Sequence, residues 1–398
     1  MGRSAKTSKK NETKMKNRVA DRVSLIRGSG IREFFDIAQR MDDVISLGVG
    51  EPDFVTPWSI REACIFALEK GYTSYTSNWG LSELRQALSD YTYRETGVYY
   101  DPEDEILITT GVSEALDIAL RAVLNSNEEV IVHEPSYVSY KPCTIFAGAT
   151  PVCVDTEMRD GFKLRADKME TKITDKTKAV ILNYPNNPTG ATMERKDLEE
   201  IADVASEHDL LVISDEIYGK LTYEGNHTCF ASLNGMKERT ILLNGFSKAY
   251  AMTGWRIGYA MGPRDLIGAM MKIHQYIMLC APITAQMAAL EALKCSTEVE
   301  DMVAAYNRRR RLMVRGLKEI GLSCFEPKGA FYAFPYIANT GLTSEEFARQ
   351  LLMTEKVVVI PGNVFGACGE GFIRCSYAVS EYELKEALER IGKFISGL

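Results

Sequence analysis

Thr240-Ile241-Leu242-Leu243-Asn244-Gly245-Phe246-Ser247-Lys248 reads as a short apolar strand that stops at a glycine and delivers a serine and a lysine just beyond its end. The same grammar recurs upstream. The run 105–109 is a short apolar strand, followed by Gly111 and a helical stretch over 113–124. The run 129–133 is a strand stopped by Pro135, with a helical pattern over 137–146 and a strand over 150–155. The run 177–182 ends in Asn183, a helix covers 195–207, and the strand 210–214 ends at Asp215. Short β-rich runs alternating with longer helical patterns predict an α/β unit on a mostly parallel sheet. Polar residues follow these strands: Thr110-Gly111, Glu134-Pro135, Asn187, Asp215 and Ser247-Lys248. Ligands of open α/β sheets bind outside the carboxyl ends of the strands, so these residues are expected to share one site.

Outside this core the texture differs. A helix is expected over 31–40, a short strand over 44–49 leading into Gly50-Glu51-Pro52-Asp53, and helices over 57–70 and 81–95. Beyond about residue 290 the pattern becomes α+β: a long charged helix over 299–319, strands over 329–334, 357–360 and 371–377, and helices over 344–355 and 381–394. Arg308-Arg309-Arg310-Arg311 on the long helix reads as a solvated face. Residues 1–20, basic and polar without an apolar segment, read as a flexible tail rather than a secretory signal, with a cleaved organelle-targeting peptide the weaker alternative. The expected division is a large domain over 55–290 and a smaller one made of 21–54 and 291–398.

The composition narrows the function classes. The chain of 398 residues, 45% hydrophobic and 25% charged, is an ordinary globular mix long enough for two domains. A formal net charge of −7 argues against a nucleic-acid binder. No apolar run is long enough to span a membrane. Nine cysteines without a CxxC pair favour reduced thiols and a cytoplasmic setting. His133, His208, His227 and His274 lie too far apart for a metal-binding spacing, so no metal is expected.

A lysine beside Ser247 and close to Gly254-Trp255-Arg256 suits a lysine-linked pyridoxal cofactor, and the requirements of that cofactor can be sought elsewhere. Its phosphate needs amide donors at a helix N-terminus, which Gly111-Val112-Ser113 could supply with Ser247 and Arg256, although glycine at a strand–helix turn is common. Its ring nitrogen needs a carboxylate; Asp215 ends an apolar strand, where it could equally cap a helix. Tyr218 and Asn187 could reach its phenolic oxygen, or be a packing tyrosine and a surface turn. Tyr137 is a candidate ring platform. Arg374 could hold a substrate carboxylate with its planar fork, or pair with a structural acid.

The chain resembles the fold-type I pyridoxal-phosphate enzymes of the class I/II aminotransferase family, close to aspartate and aromatic amino acid aminotransferases. The resemblance rests on Gly50-Glu51-Pro52-Asp53-Phe54, Tyr75 with Gly80, Thr110-Gly111-Val112-Ser113-Glu114-Ala115 and Asn183-Tyr184-Pro185-Asn186-Asn187-Pro188-Thr189-Gly190. It continues through Ser214-Asp215-Glu216-Ile217-Tyr218, Ser247-Lys248, Gly254-Trp255-Arg256-Ile257-Gly258, Pro361-Gly362 with Phe365-Gly366, and Ile373-Arg374, in the family's order from about residue 22 onward. It implies a large domain with a seven-stranded sheet, a smaller α+β domain, and pyridoxal 5'-phosphate as cofactor. It implies Lys248 as the Schiff-base lysine, Asp215 on the ring nitrogen, Tyr218 and Asn187 on the phenolic oxygen and Tyr137 stacked on the ring. Val112, Ser113, Ser247 and Arg256 would hold the phosphate. Tyr75 would reach the neighbouring subunit's cofactor, making a homodimer with shared sites. Arg374 would bind the substrate α-carboxylate, with Gly50 and Asn187 lining the same region. The implied reaction is ping-pong transamination in which the displaced Lys248 amine takes the α-proton.

Side-chain specificity is less legible. One branch of aspartate aminotransferases carries an arginine for the distal carboxylate a few tens of residues after the lysine, and 273–286 has none. Arg32 is a possible substitute, while Ile31, Tyr72 and Trp79 could line an aromatic or aliphatic pocket. Aspartate or an aromatic amino acid, with glutamate and 2-oxoglutarate as the other pair, is the expectation. A β-lyase on the same scaffold is the alternative, and an inactive cofactor-binding regulator is the alternative of another class.

Overall fold

The computed structural model describes residues 19–26, 28, 30 and 41–398. The helix expected over 31–40, with Ile31 and Arg32, lies outside the described residues, as do most of the first 20.

The central sheet has seven strands in the order β2-β8-β7-β6-β5-β3-β4: β2 is Ile106–Thr109, β3 Glu129–Glu134, β4 Thr150–Asp155, β5 Thr177–Leu182, β6 Leu211–Asp215, β7 Thr240–Gly245 and β8 Gly258–Met261. All neighbours run parallel except β8, which is antiparallel to both β2 and β7. Helices cover both faces, which is why these strands are apolar at nearly every position rather than at every second one. Ile108, Val180, Val212 and Leu242 face one buried layer, while Leu107, Ile181, Ile213, Ile241 and Leu243 face the other. Strand β8 and the helices Arg264–Ile277 and Ile283–Ala292 were not separable in the sequence. The strand is four residues long and begins with glycine, and the second helix carries apolar residues on every side.

The small strands gather elsewhere. β1 (Ile45–Ser46) pairs in parallel with β12 (Val357–Val358), so the segment ahead of the large sheet joins the C-terminal part of the chain. β9 (Ser323–Cys324) pairs with β11 (Pro335–Tyr336). β10 (Tyr332–Ala333) and β13 (Ile360–Pro361) flank β14 (Ile373–Ser376) on either side, both antiparallel to it. Around them pack the helices Ser296–Glu319, Ser344–Glu355 and Glu381–Ser396, the last two opened by Thr343/Glu346 and Ser380/Glu383 capping boxes.

Three expectations need correction. Arg308-Arg309-Arg310-Arg311 is not a solvated face throughout: Arg309 and Arg310 fall on the buried stripe of the long helix with Met302, Tyr306 and Met313. Their charges are met there. Arg309 Nη1 lies 2.7 Å from Asp53 Oδ1, and Arg310, 2% exposed, reaches Glu224 at 2.7 Å and the Pro327 carbonyl at 2.9 Å. The helical pattern over 137–146 is a helix only from Tyr140 to Phe146. The strand over 329–334 contracts to Tyr332–Ala333, because Ala330 sits at φ +56° and turns the chain before the ladder begins.

Candidate active site

The carboxyl ends of β2, β5, β6 and β7 bring the expected residues to one edge of the sheet. Lys248 lies three residues past β7, partly buried, and its Nζ donates to the Gly50 carbonyl at 2.6 Å. It also sits above the rings of Tyr218 and Phe331, at 5.9 and 5.8 Å from their centroids. Its pKa is lowered to about 8, first by burial and then by Arg374 and Arg256, with Glu51 and Asp215 opposing. A lysine of this kind is partly neutral at mildly alkaline pH, as a nucleophile or base must be.

Asp215 ends β6 and is buried. Its Oδ2 accepts from the Tyr140 hydroxyl at 2.8 Å and its Oδ1 from the Ile217 amide at 3.2 Å. Burial pushes its carboxyl up to about 6, against the pull of those two donors. Asn183, at the end of β5, ties the neighbouring loops together: its Nδ2 donates to the Asp215 carbonyl at 2.9 Å, and its Oδ1 accepts from the Asn187 amide at 3.2 Å.

Asn187 in turn accepts from Arg374 Nη1 at 3.0 Å through its Oδ1, which leaves its side-chain NH2 for another acceptor. Arg374 Nη2 donates to the Gly48 carbonyl at 2.5 Å, and the guanidinium is stacked between Tyr332 and Phe365 at 4.6 and 4.9 Å. Its Nε is buried with no hydrogen-bond partner, and no carboxylate pairs with it among the described residues. The reading of Arg374 as a partner of a structural acid therefore fails.

On the other side, Gly111 (φ +78°) starts the helix Val112–Val123. A Cβ at Gly111 would lie 2.7 Å from Arg256 Nη2, so the missing side chain is what lets that guanidinium reach the helix N-terminus. Gly258 is required for a similar reason: a Cβ there would come within 2.8 Å of the Gly111 and Val112 backbone. Ser113 is exposed at this helix start, and the Ser247 side chain is buried close to the strand end. Tyr137 stands edge-on to Tyr140, centroids 5.6 Å apart. Tyr75 is 81% exposed, and no contact with the other expected residues is found among the described residues. Trp79 packs into the core against the second apolar layer, and Tyr72 is exposed.

Sequence reasoning assigned no role to Tyr140, Asn183 or Tyr332. Tyr140 follows Tyr137 at helical spacing and Asn183 ends an apolar strand, signals of the same kind that singled out Asp215. Tyr332 gave no such signal, because its neighbours are all apolar.

The site thus gathers a helix N-terminus beside an arginine, a buried arginine with no carboxylate partner among the described residues, and a lysine whose charge is felt by both arginines and by a buried carboxylate. That is a place for a dianion, a carboxylate and a cationic ring. The model of the family described as aminotransferase class I and II matches residues 42–391. YugH of Bacillus subtilis, which is named as an aminotransferase, is 54% identical over 382 residues, covering 96% of this chain and 99% of that one. Aromatic-amino-acid aminotransferase 2 of Thermococcus litoralis is 45% identical over 381 residues, covering 95% of this chain and 98% of that one. A solved structure of Thermus thermophilus aspartate aminotransferase with maleate superposes with a TM-score of 0.91 at 39% identity, covering 94% and 99% of the two chains. The chain therefore belongs to the class I and II aminotransferases: it is a fold-type I, pyridoxal-phosphate-dependent enzyme of amino-group transfer between amino acids and 2-oxo acids.

Proposed function

We propose that this enzyme exchanges the amino group of aspartate or an aromatic amino acid with the glutamate/2-oxoglutarate pair, holding each α-carboxylate on Arg374. The observation that carries this is the buried guanidinium of Arg374, which has no carboxylate partner among the described residues and one N–H left over. A buried cation in that state is costly unless a ligand supplies the anion. The relatives named for aspartate and for aromatic amino acids, and the maleate of the Thermus thermophilus structure, support the choice of substrates.

The residues present fit pyridoxal phosphate. Val112, Ser113, Ser247 and Arg256 would hold the phosphate; the glycine at 111, where a side chain would collide with Arg256, supports this. Asp215 would hold the ring nitrogen, Tyr218 and the Asn187 NH2 the phenolic oxygen, and Tyr137 the ring face. The chemistry supplied by the bound cofactor is an electron sink that makes the α-proton of an attached amino acid removable. Lys248 would be the attachment point and the base that moves the α-proton, a task its lowered pKa suits. Tyr140 and the Ile217 amide favour the charged form of Asp215 against the burial that raises its pKa, as a partner for a cationic ring nitrogen would need. Gly50 and Asn187 line the carboxylate end. The exposure of Tyr75 supports a homodimer in which it serves the neighbouring subunit's phosphate. We divide the chain into a large unit over 55–290 and a small unit of 21–54 with 291–398, joined through the β1–β12 pair. Nine free cysteines suit the cytoplasm, and among the described residues no helix is long and apolar enough to cross a membrane.

A half-reaction panel tests this reading. The purified protein is loaded with pyridoxal phosphate, single amino acids are added, and the visible spectrum is followed. Glutamate together with aspartate or an aromatic amino acid should convert the cofactor to its amino form. Release of pyruvate and ammonia from a β-substituted amino acid, without any 2-oxo acid acceptor, would indicate a lyase instead.

A further inference from the structure

Tyr332 opens β10 and is wholly buried. Its register partner across the ladder is Ser376, two residues from Arg374 on β14, so Tyr332 and Arg374 stand on the same face of the small sheet. The Arg374 guanidinium lies over the Tyr332 ring at 4.6 Å. At the other end of the ring, the Tyr332 and Tyr218 hydroxyls are 2.9 Å apart, and among the described residues this is the only hydrogen bond of the Tyr332 hydroxyl. The backbone leaves room for it: a Cβ at Gly50 would fall 2.7 Å from the Tyr332 hydroxyl. One side chain thus touches both the carboxylate clamp and the tyrosine assigned to the cofactor's phenolic oxygen.

We propose that Tyr332 is a positioning residue that donates its hydroxyl hydrogen to Tyr218 and so couples the Arg374 clamp to the cofactor's phenolic oxygen. The inference rests on the role given to Tyr218 above. A phenol has one hydrogen. When Tyr218 spends it on the cofactor, its oxygen can only accept, and Tyr332 is the neighbour able to donate. A hydroxyl that accepts a hydrogen bond is itself a stronger donor, so the chain Tyr332 to Tyr218 to phenolic oxygen is cooperative. The guanidinium over the Tyr332 ring favours that direction. Burial raises the Tyr332 phenol and Arg374 opposes it, whereas Tyr218 is driven well above the usual range, first by burial and then by Tyr332. Of the two, Tyr332 is the better donor.

The readout is the pH midpoint of the bound cofactor's visible band, which reports how strongly the phenolic oxygen is held, independently of turnover. Tyr332→Phe keeps the ring over Arg374 and removes only the donor. The midpoint should rise by roughly 0.3 to 1 pH unit, with kcat falling roughly three- to tenfold and KM for the amino acid little changed. Tyr332→Leu, which also loses the stacked ring, should raise KM as well. Tyr218→Phe should move the midpoint further, and the double variant Tyr218→Phe/Tyr332→Phe should match Tyr218→Phe alone, because the relay has no second route. A wild-type midpoint in Tyr332→Phe, or additive shifts in the double variant, would overturn the relay while leaving Tyr218 in place. An unmoved midpoint in Tyr218→Phe would instead overturn the role of Tyr218, and the relay with it.

Discussion

Lys248→Met in the cofactor-free protein isolates the energetic consequence of placing an ammonium in this cleft. The folded-state pKa is about 8 against an ordinary 10.5. A depressed lysine pKa means that the folded chain binds this proton more weakly than the unfolded chain. The contribution to stability is therefore full above about pH 10.5 and is lost as pH falls through about 8. At about 1.4 kcal/mol per pH unit, the gap corresponds to about 3–4 kcal/mol as an upper value. The bond from Nζ to the Gly50 carbonyl already works in favour of the charged form. Methionine retains most of the apolar stem and carries no charge. The variant should therefore be more stable than the wild type near pH 7, by up to about 3–4 kcal/mol, and the advantage should shrink toward zero by about pH 10. Urea unfolding of both proteins at the two pH values measures it, and taking the difference between proteins cancels the other titrating groups. An advantage of equal size at both pH values, or a wild type that is the more stable at pH 7, would refute the assignment of a buried, destabilised ammonium.

Other outcomes follow from the same geometry. Arg374→Met should lower kcat/KM by on the order of 10²-fold or more through loss of about 3 kcal/mol of charge-assisted bonding to the α-carboxylate; steady-state kinetics with substrate titration would show it mostly in KM. Tyr140→Phe removes a donor that holds the Asp215 carboxyl down, so its pKa should climb above about 6. Because a raised carboxyl pKa shortens the range over which the anion persists, the acid limb of the pH–rate profile should move to higher pH, and an unmoved limb would count against Asp215 as the group that must be ionised. Arg310→Met removes the buried donor of the Pro327 carbonyl and the partner of the half-exposed Glu224, and should destabilise the fold by about 1–3 kcal/mol, read as a lowered Tm with the spectrum of the bound cofactor preserved.

The large sheet was legible because strands buried on both faces are apolar throughout and each ends in a polar residue. Leu210 to Asp215 carries both signals, and the observed strand agrees within one residue at the start. That the polar residues after these strands would gather at one edge of the sheet was legible for the same reason. What the sequence concealed depends on contacts between distant segments. Nothing around Arg309 and Arg310 announces Asp53, 256 residues from Arg309, or Glu224, 86 from Arg310, so the four arginines looked like any solvated helix face. The Tyr218–Tyr332 hydroxyl pair spans 114 residues and the Arg374–Asn187 bond 187, and only the folded chain brings them together. β8 was missed because a four-residue antiparallel strand beginning with glycine has too little pattern to register.

The charges of the cleft explain why these long-range contacts take the form they do. Lys248, Arg256 and Arg374 have no ion-pair partner among the described residues, and the two arginines each depress the lysine. In water three such cations would simply be solvated. Here Arg374 is buried and Lys248 nearly so, and the cations are steadied by aromatic faces and backbone carbonyls instead: Tyr332 and Phe365 on Arg374, Gly48 and Gly50 as acceptors. Those partners hold a cation in position without neutralising it. An acidic side chain in any of those places would stabilise the ligand-free protein and close the site to anions. The protein instead leaves its positive charge uncompensated at both ends of the cleft. On the proposed roles, the anions that would complete it are those of the ligands, a phosphate at Gly111 and a carboxylate at Arg374. A carboxylate held there would also weaken the field by which Arg374 lowers the Lys248 pKa, so on the proposed roles substrate binding would favour the lysine's uptake of a proton.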